Sequence, residues 1–167
     1  MTLNHTLNKL EQKFGDQMLH VSHFRGDCKI ICPLSHIIQL LMFLKDDCDF
    51  DMLVDITAVD YMEYPNARDR FGVIYALAST NTNVRLYVKV YVNEPNLALP
   101  SATSLWQGAN WLEREVYDMF GIRFEGHPDL RRILLPEEFV AFPLRKDYPI
   151  RGRGERHNFP VLTRAES

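Results

Sequence analysis

Hydrophobic periodicity stops at Gly121, and this break divides the chain of 167 residues into two parts with different physical demands. Before it, Leu105, Ala109, Leu112, Val116 and Met119 recur at steps of four and three, which marks one helical face. Ser104 and Gln107 form a capping-box pattern, and Gly121 stands where a left-handed C′ residue belongs, so the spacing predicts a helix over 105–120. After it, five of the nine prolines (128, 136, 143, 149, 160) interrupt every run. The tail is nevertheless rich in Ile133, Leu134, Leu135, Phe139, Phe142 and similar side chains, which disordered segments lack. An extended arm of this kind cannot bury such groups in itself. It needs a surface, either its own domain or another chain.

The first part reads as a domain, 1–120, and the second, 121–167, as an extended partner-docking arm. Leu3, Leu7, Leu10 and Phe14 predict a short amphipathic helix over 3–14, stopped by Gly15. Cys28–Cys32 is a short strand candidate. Pro33 suits a first helical turn, and Leu34, Ile37, Ile38, Leu41 and Leu44 form the apolar stripe behind it. Three strands are expected next, at Met52–Val59, Phe71–Leu77 and Val84–Val92. In the last, Val84, Leu86, Val88, Val90 and Val92 face one way and Arg85, Tyr87, Lys89 and Tyr91 the other. The order implies an α+β fold: helices packed on one largely antiparallel sheet, then a long helix and an extended C-terminal arm.

Composition removes several function classes. A net charge of −3 argues against a nucleic-acid binder, which normally shows a basic face. Residues 1–120 carry ten Lys/Arg against fifteen Asp/Glu, whereas 121–167 carry nine against seven, so the tail is mildly basic. Cys28, Cys32 and Cys48 lack the spacing of a zinc or iron–sulfur site and read as small buried apolar side chains. No apolar run approaches the roughly 20 residues that a membrane span needs, so membrane contact is expected only through partners.

The chemistry-bearing residues cluster at the break. Glu113, Arg114, Glu115 and Asp118 lie on the helix; His127, Asp129, Arg131, Arg132, Arg145, Lys146 and Asp147 follow in the arm. Glu115 and Asp118, one turn apart, would suit a metal or acid–base pair. Acids and bases in nearly equal number favour ion pairs between helix and arm instead. His127-Pro-Asp matches the J-domain tripeptide, but an acidic helix precedes it, and a turn-fixing role is expected.

Taken whole, the run Asn110-Trp-Leu-Glu-Arg-Glu-Val-Tyr-Asp-Met-Phe-Gly-Ile-Arg-Phe-Glu-Gly-His-Pro-Asp-Leu-Arg-Arg-Ile-Leu-Leu-Pro resembles the motif of the C-subunit family of NADH–quinone oxidoreductases. Pro143-Leu-Arg-Lys-Asp-Tyr-Pro resembles that family's second block, and Val59-Asp-Tyr and Arg70–Leu77 resemble it more loosely. The likeness spans most of 50–150; Val140-Ala-Phe-Pro departs from it. It implies a peripheral-arm member of respiratory complex I that holds no cofactor of its own. FMN, iron–sulfur clusters and quinone would belong to partner subunits, and activity to the whole complex. The D subunit would be the partner under the arm, whose apolar and guanidinium groups are then expected to be satisfied on that foreign surface. The setting would be the cytoplasmic face of the bacterial inner membrane. An equivalent component of a membrane-bound hydrogenase or ferredoxin-linked oxidoreductase is the nearest alternative. A free-standing carboxylate-metal enzyme is the third.

Overall fold

Strict alternation along the fifth strand fixes the domain. In the computed structural model, which describes residues 2–15 and 20–158, Leu86, Val88, Val90 and Val92 are all buried on one face of that strand. The elements run α1 (Leu3–Phe14), β1 (His20–Phe24), β2 (Asp27–Cys32), a 3₁₀ turn (Leu34–His36), α2 (Ile37–Asp46), β3 (Met52–Asp60), β4 (Phe71–Ala78) and β5 (Arg85–Val92). Then follow β6 (Ala98–Pro100), α3 (Ala109–Phe120), β7 (Arg123–Glu125) and a last 3₁₀ turn (Glu155–Asn158). Strand order in the main sheet is β1-β2-β5-β4-β3. The β3–β4–β5 meander and the β1–β2 hairpin are antiparallel, while β2 joins β5 in parallel, so the sheet is mixed.

The three α-helices of the described residues supply one core. Leu10 of α1, Ile37, Leu40, Leu41 and Leu44 of α2, and Val116, Met119 and Phe120 of α3 join Ile30, Ile56, Val73, Tyr75, Leu77 and Val88 in a single buried cluster. The three cysteines are free and buried. The α+β class read from the sequence, with helices packed on a sheet, is the one observed. No helix among the described residues is long and apolar enough to cross a membrane.

Two expectations need correction. The α3 helix begins at Ala109, not 105, and its N-cap, Gly108, makes no side-chain cap bond, so the capping box of Ser104 and Gln107 does not form. Tertiary anchors win over the local pattern. The Trp106 indole N–H donates to the Asp51 carbonyl at 3.1 Å, and the amides of Leu105 and Trp106 both close on the Ala102 carbonyl. Strand β1 and the short parallel pair β6–β7 were also not expected. Strand β1 is an edge without apolar alternation, and three-residue strands fall below any periodic signal.

Gly121 ends α3 as the sequence implies, at φ +75° and ψ +19°, with its amide donating to the Tyr117 carbonyl. A Cβ there would lie 2.6 Å from the Phe142 ring and 2.7 Å from an Arg145 guanidinium nitrogen. Glycine therefore serves both the left-handed turn and the close approach of the tail. Gly121→Ala is expected to lower stability by about 1–3 kcal/mol from backbone strain alone, with more from the displaced Phe142. Equilibrium chemical denaturation checks this; an unchanged midpoint would refute the double role.

Candidate functional site

The site is a clasp between the domain and the tail, with two centres. The first is Asp118, on α3, whose carboxylate is fully buried. Its Oδ1 accepts from Arg132 Nη1 at 2.6 Å, and its Oδ2 accepts from the successive amides of Ile133, Leu134 and Leu135 at 3.1, 2.8 and 2.9 Å. One side chain thus satisfies a run of backbone that has no strand or helix of its own. Burial alone would push this carboxyl upward, but the amides of Leu135 and Leu134, Arg132 and the Ile133 amide outweigh it and hold it below its usual range. Arg132 also donates to the Ala141 carbonyl and lies over the Phe142 ring at 5.3 Å. Arg114, one turn earlier on α3, donates to the carbonyls of Arg131 and Arg132 at 3.0 and 3.1 Å.

The second centre joins the end of β3 to the distal tail. Asp60 Oδ1 accepts the Met62 amide at 3.0 Å, while Oδ2 accepts the Lys146 amide at 2.9 Å and Arg70 Nη2 at 3.4 Å. Arg70 also pairs with Asp147 and Glu94, both at 3.0 Å. Glu94 in turn accepts from Arg145 Nη1 at 3.1 Å, and Arg145 Nε donates to the Phe120 carbonyl at 2.5 Å. That last bond satisfies a helix-end carbonyl which α3 leaves open. Burial raises Asp60, but the Lys146 and Met62 amides and then Arg70 bring it below the ordinary value.

Between the two centres the remaining predicted residues have plain places. His127 accepts the Asp129 amide on Nδ1 at 3.0 Å, so its proton sits on Nε2 and donates to the Asn110 carbonyl at 3.1 Å. The turn-fixing geometry is there, and no ligand geometry accompanies it. Asp129 and Arg131 form an exposed bidentate pair. The Lys146 side chain and Glu115 are both exposed. Glu113 does not meet an arginine: it is fully buried and accepts from the Ser101 hydroxyl and the Ala102 amide, both at 2.6 Å. Burial pushes it up to about 7, against the lowering effect of those two donors.

Metal chemistry at Glu115 and Asp118 finds no support in this arrangement. The Asp118 oxygens are occupied by N–H donors, and Glu115 is at the surface. Among the described residues no group of three His, Cys, Asp or Glu side chains is placed to hold a metal ion.

A family model described as "Respiratory-chain NADH dehydrogenase, 30 Kd subunit" matches residues 30–154, which include both centres of the clasp. The chain belongs to this family. The NADH-quinone oxidoreductase C subunit of Trichlorobacter lovleyi is 48% identical over 151 residues, covering 90% of this chain and 92% of the relative. That of Geobacter metallireducens is 42% identical over 151 residues, with 90% and 92% covered. A solved trypsin-resistant fragment of Nqo5 is 38% identical with a TM-score of 0.70, covering 78% of this chain and all of the fragment. A chain of an archaeal membrane-bound sulfane sulfur reductase, at 22% identity and a TM-score of 0.76, shares the fold.

One expectation about this 30 Kd family member fails in part. Arg132 and Arg145 are satisfied on the chain's own domain and not on a foreign surface. The last nine residues of the tail, Pro160 among them, lie outside the described residues. Sequence reading also missed Asp60, Arg70 and Glu94, the domain's half of the second centre. A signal existed: Asp60 follows Ile56 and Ala58 at inward parity on β3, and a carboxylate at a core position demands partners.

Asp118→Ala leaves three amides without their acceptor and Arg132 with carbonyl oxygens only. It is expected to cost about 3–5 kcal/mol and to open residues 127–148 to limited proteolysis, whereas an intact tail would show that the clasp is not the anchor. Glu113 sets a separate pH window. Its folded value of about 7 lies above the usual 4.5, so its contribution is full below pH 4.5 and is lost as pH rises to about 7. In that window stability should fall by up to about 1.4 kcal/mol per pH unit. Glu113→Gln keeps an acceptor for the Ala102 amide, turns a donor toward the Ser101 hydroxyl oxygen, and should flatten the slope in pH-dependent denaturation.

Proposed function

We propose that this chain is a non-catalytic peripheral-arm component of a proton-translocating NADH–quinone oxidoreductase, and that its clasped tail docks on the D subunit of that complex. The observation that carries the docking is what the clasp leaves outside. Leu134 is 61% exposed, Val140 82%, and Leu144 and Ile150 are also exposed; the chain neighbours of the first three are buried or half-buried. The backbone of Leu134 is bonded to Asp118 and that of Leu144 to the Met119 carbonyl. Apolar side chains on a fixed backbone, directed to solvent, are the composition of an interface core. On α3, Trp111 adds a large exposed ring beside the Arg114 guanidinium.

Membership of the 30 Kd family and the likeness to C subunits of NADH-quinone oxidoreductases support the assembly, and the geometry supports a scaffold role within it. The side chains of the clasp are engaged with one another, so this chain would shape a surface for the electron path and not carry the electrons. FMN, iron–sulfur clusters and quinone would be held by neighbouring subunits, with this one at the cytoplasmic face of the inner membrane. Other peripheral-arm subunits would complete its contacts.

Val140→Asp and Ile150→Asp place charges on this surface without touching the clasp. Each should leave the isolated chain within about 0.5 kcal/mol of its original stability while lowering co-purification of the other subunits and NADH–quinone turnover together. Full assembly with both aspartates in place would refute docking through this face; full assembly with lost turnover would point to a direct role in the chemistry.

A further inference from the structure

The sheet face opposite the helices carries a group that neither the core nor the clasp uses. Lys89, in the middle of β5, is only 4% exposed. Buried lysines are rare unless an acid pairs with them, yet among the described residues Lys89 has no carboxylate partner. Its ammonium donates instead to Tyr61 Oη at 2.6 Å and lies 4.2 and 4.4 Å from the Tyr61 and Tyr91 ring centroids. The stem reaches that position over Gly72 of β4, where a Cβ would stand 2.6 Å from Lys89 Cε. Tyr61 meets Tyr64 and Tyr91 edge-on, at 5.9 and 6.2 Å between centroids.

These rings wall a depression of about 300 Å³ whose lining also includes Pro65, Arg68 and Asp69. Arg68 is exposed and has no hydrogen bond or ion pair among the described residues. Asp69, the carboxylate of the lining, accepts the Asn93 side-chain amide at 2.7 Å. Val59, Met62 and Tyr64, all exposed, complete the apolar surround. Tyrosine, methionine and arginine are the residues enriched in protein interfaces. A shallow hollow at the lower end of ligand-site volumes suits a side chain on a polypeptide better than an enclosed small molecule.

We propose that this tyrosine-walled depression is a second docking site, which takes an aspartate or glutamate side chain presented by another polypeptide of the assembly. The partner's carboxylate pairs with Arg68 in the lining and accepts from the Tyr61 hydroxyl, behind which the Lys89 ammonium lies outside the lining. Tyr61, accepting from the ammonium, is polarised into a stronger donor of its own proton. The proposal rests on the chain being one component of a complex, but it does not depend on the tail's docking face. Loop 61–70 links the two, since Arg70 at its end belongs to the clasp.

Arg68→Lys places a primary amine at the rim. In the purified intact complex, a water-soluble carbodiimide should then couple position 68 to an Asp or Glu of a different chain, read by peptide mass spectrometry. Arg68→Glu should lower retention of that same chain about tenfold in a salt-dependent way, with the thermal midpoint of the isolated protein unchanged. Coupling confined to Glu63 or Asp69 of this chain, or to a small free carboxylate, overturns the proposal. So does an Arg68→Glu complex that keeps all its subunits. Because Val140 and Ile150 are untouched in these variants, failure here leaves docking through the tail standing.

Discussion

The first turn of the tail back onto the domain, residues 132–135, depends on one buried carboxylate. Asp118 receives three consecutive amides and a guanidinium, and in doing so it replaces the hydrogen-bond ladder that residues 132–135 do not have. A backbone broken by prolines cannot satisfy its own polar groups in a regular element. It can lie against a domain only where the domain provides an acceptor at the right depth. Helix α3 provides it because Asp118 lies one turn before Gly121, whose missing side chain lets Phe142 and Arg145 close over the helix end. The acid, the glycine and the arginines are therefore parts of one solution.

The second centre works differently. Asp118 is a buried acceptor with a partner only 13% exposed, whereas Asp147 and Glu94 are nearly half exposed and face Arg70 and Arg145 from the solvent side. Exposed ion pairs contribute little each, roughly 0–1 kcal/mol. The firm part of this centre is again a buried carboxylate, Asp60, taking the Lys146 amide. Two buried acids thus hold the tail at two points, and both have their values lowered by the donors around them. Each contributes stability above the ordinary carboxylate range and loses it as pH falls through the depressed value. Glu113 has the opposite sign, since burial dominates over its two donors.

Much of the domain was legible because it obeys periodic rules. Leu3–Phe14, Met52–Asp60 and Phe71–Ala78 lie within a residue or so of where their apolar spacing puts them. The start of α3 was not legible, because Trp106 answers to Asp51, fifty-five residues away, and no local pattern encodes that pull. The clasp was half legible. The density of acids and arginines around Gly121 marked its near side, but which acid meets which arginine follows from topology. Asp60 comes under Lys146 only because β3 lies at the sheet edge that α3 covers. The same long-range placement explains why Arg132 and Arg145 turn inward, where the family resemblance implied a foreign partner.

That inward turn changes what docking requires. A tail that orders only on its partner must lose about 1–2 kcal/mol of backbone entropy for every residue it fixes, and that loss weakens binding residue by residue. Here the ordering is done within the chain, by Asp118, Asp60 and Gly121. Leu134 and Leu144, exposed on pinned backbone, can then contribute apolar burial with little further entropic cost. In the docking we propose, the buried acids of the clasp and the exposed apolar groups of the tail are thus two halves of one device, in which intramolecular hydrogen bonds hold the surface for another chain.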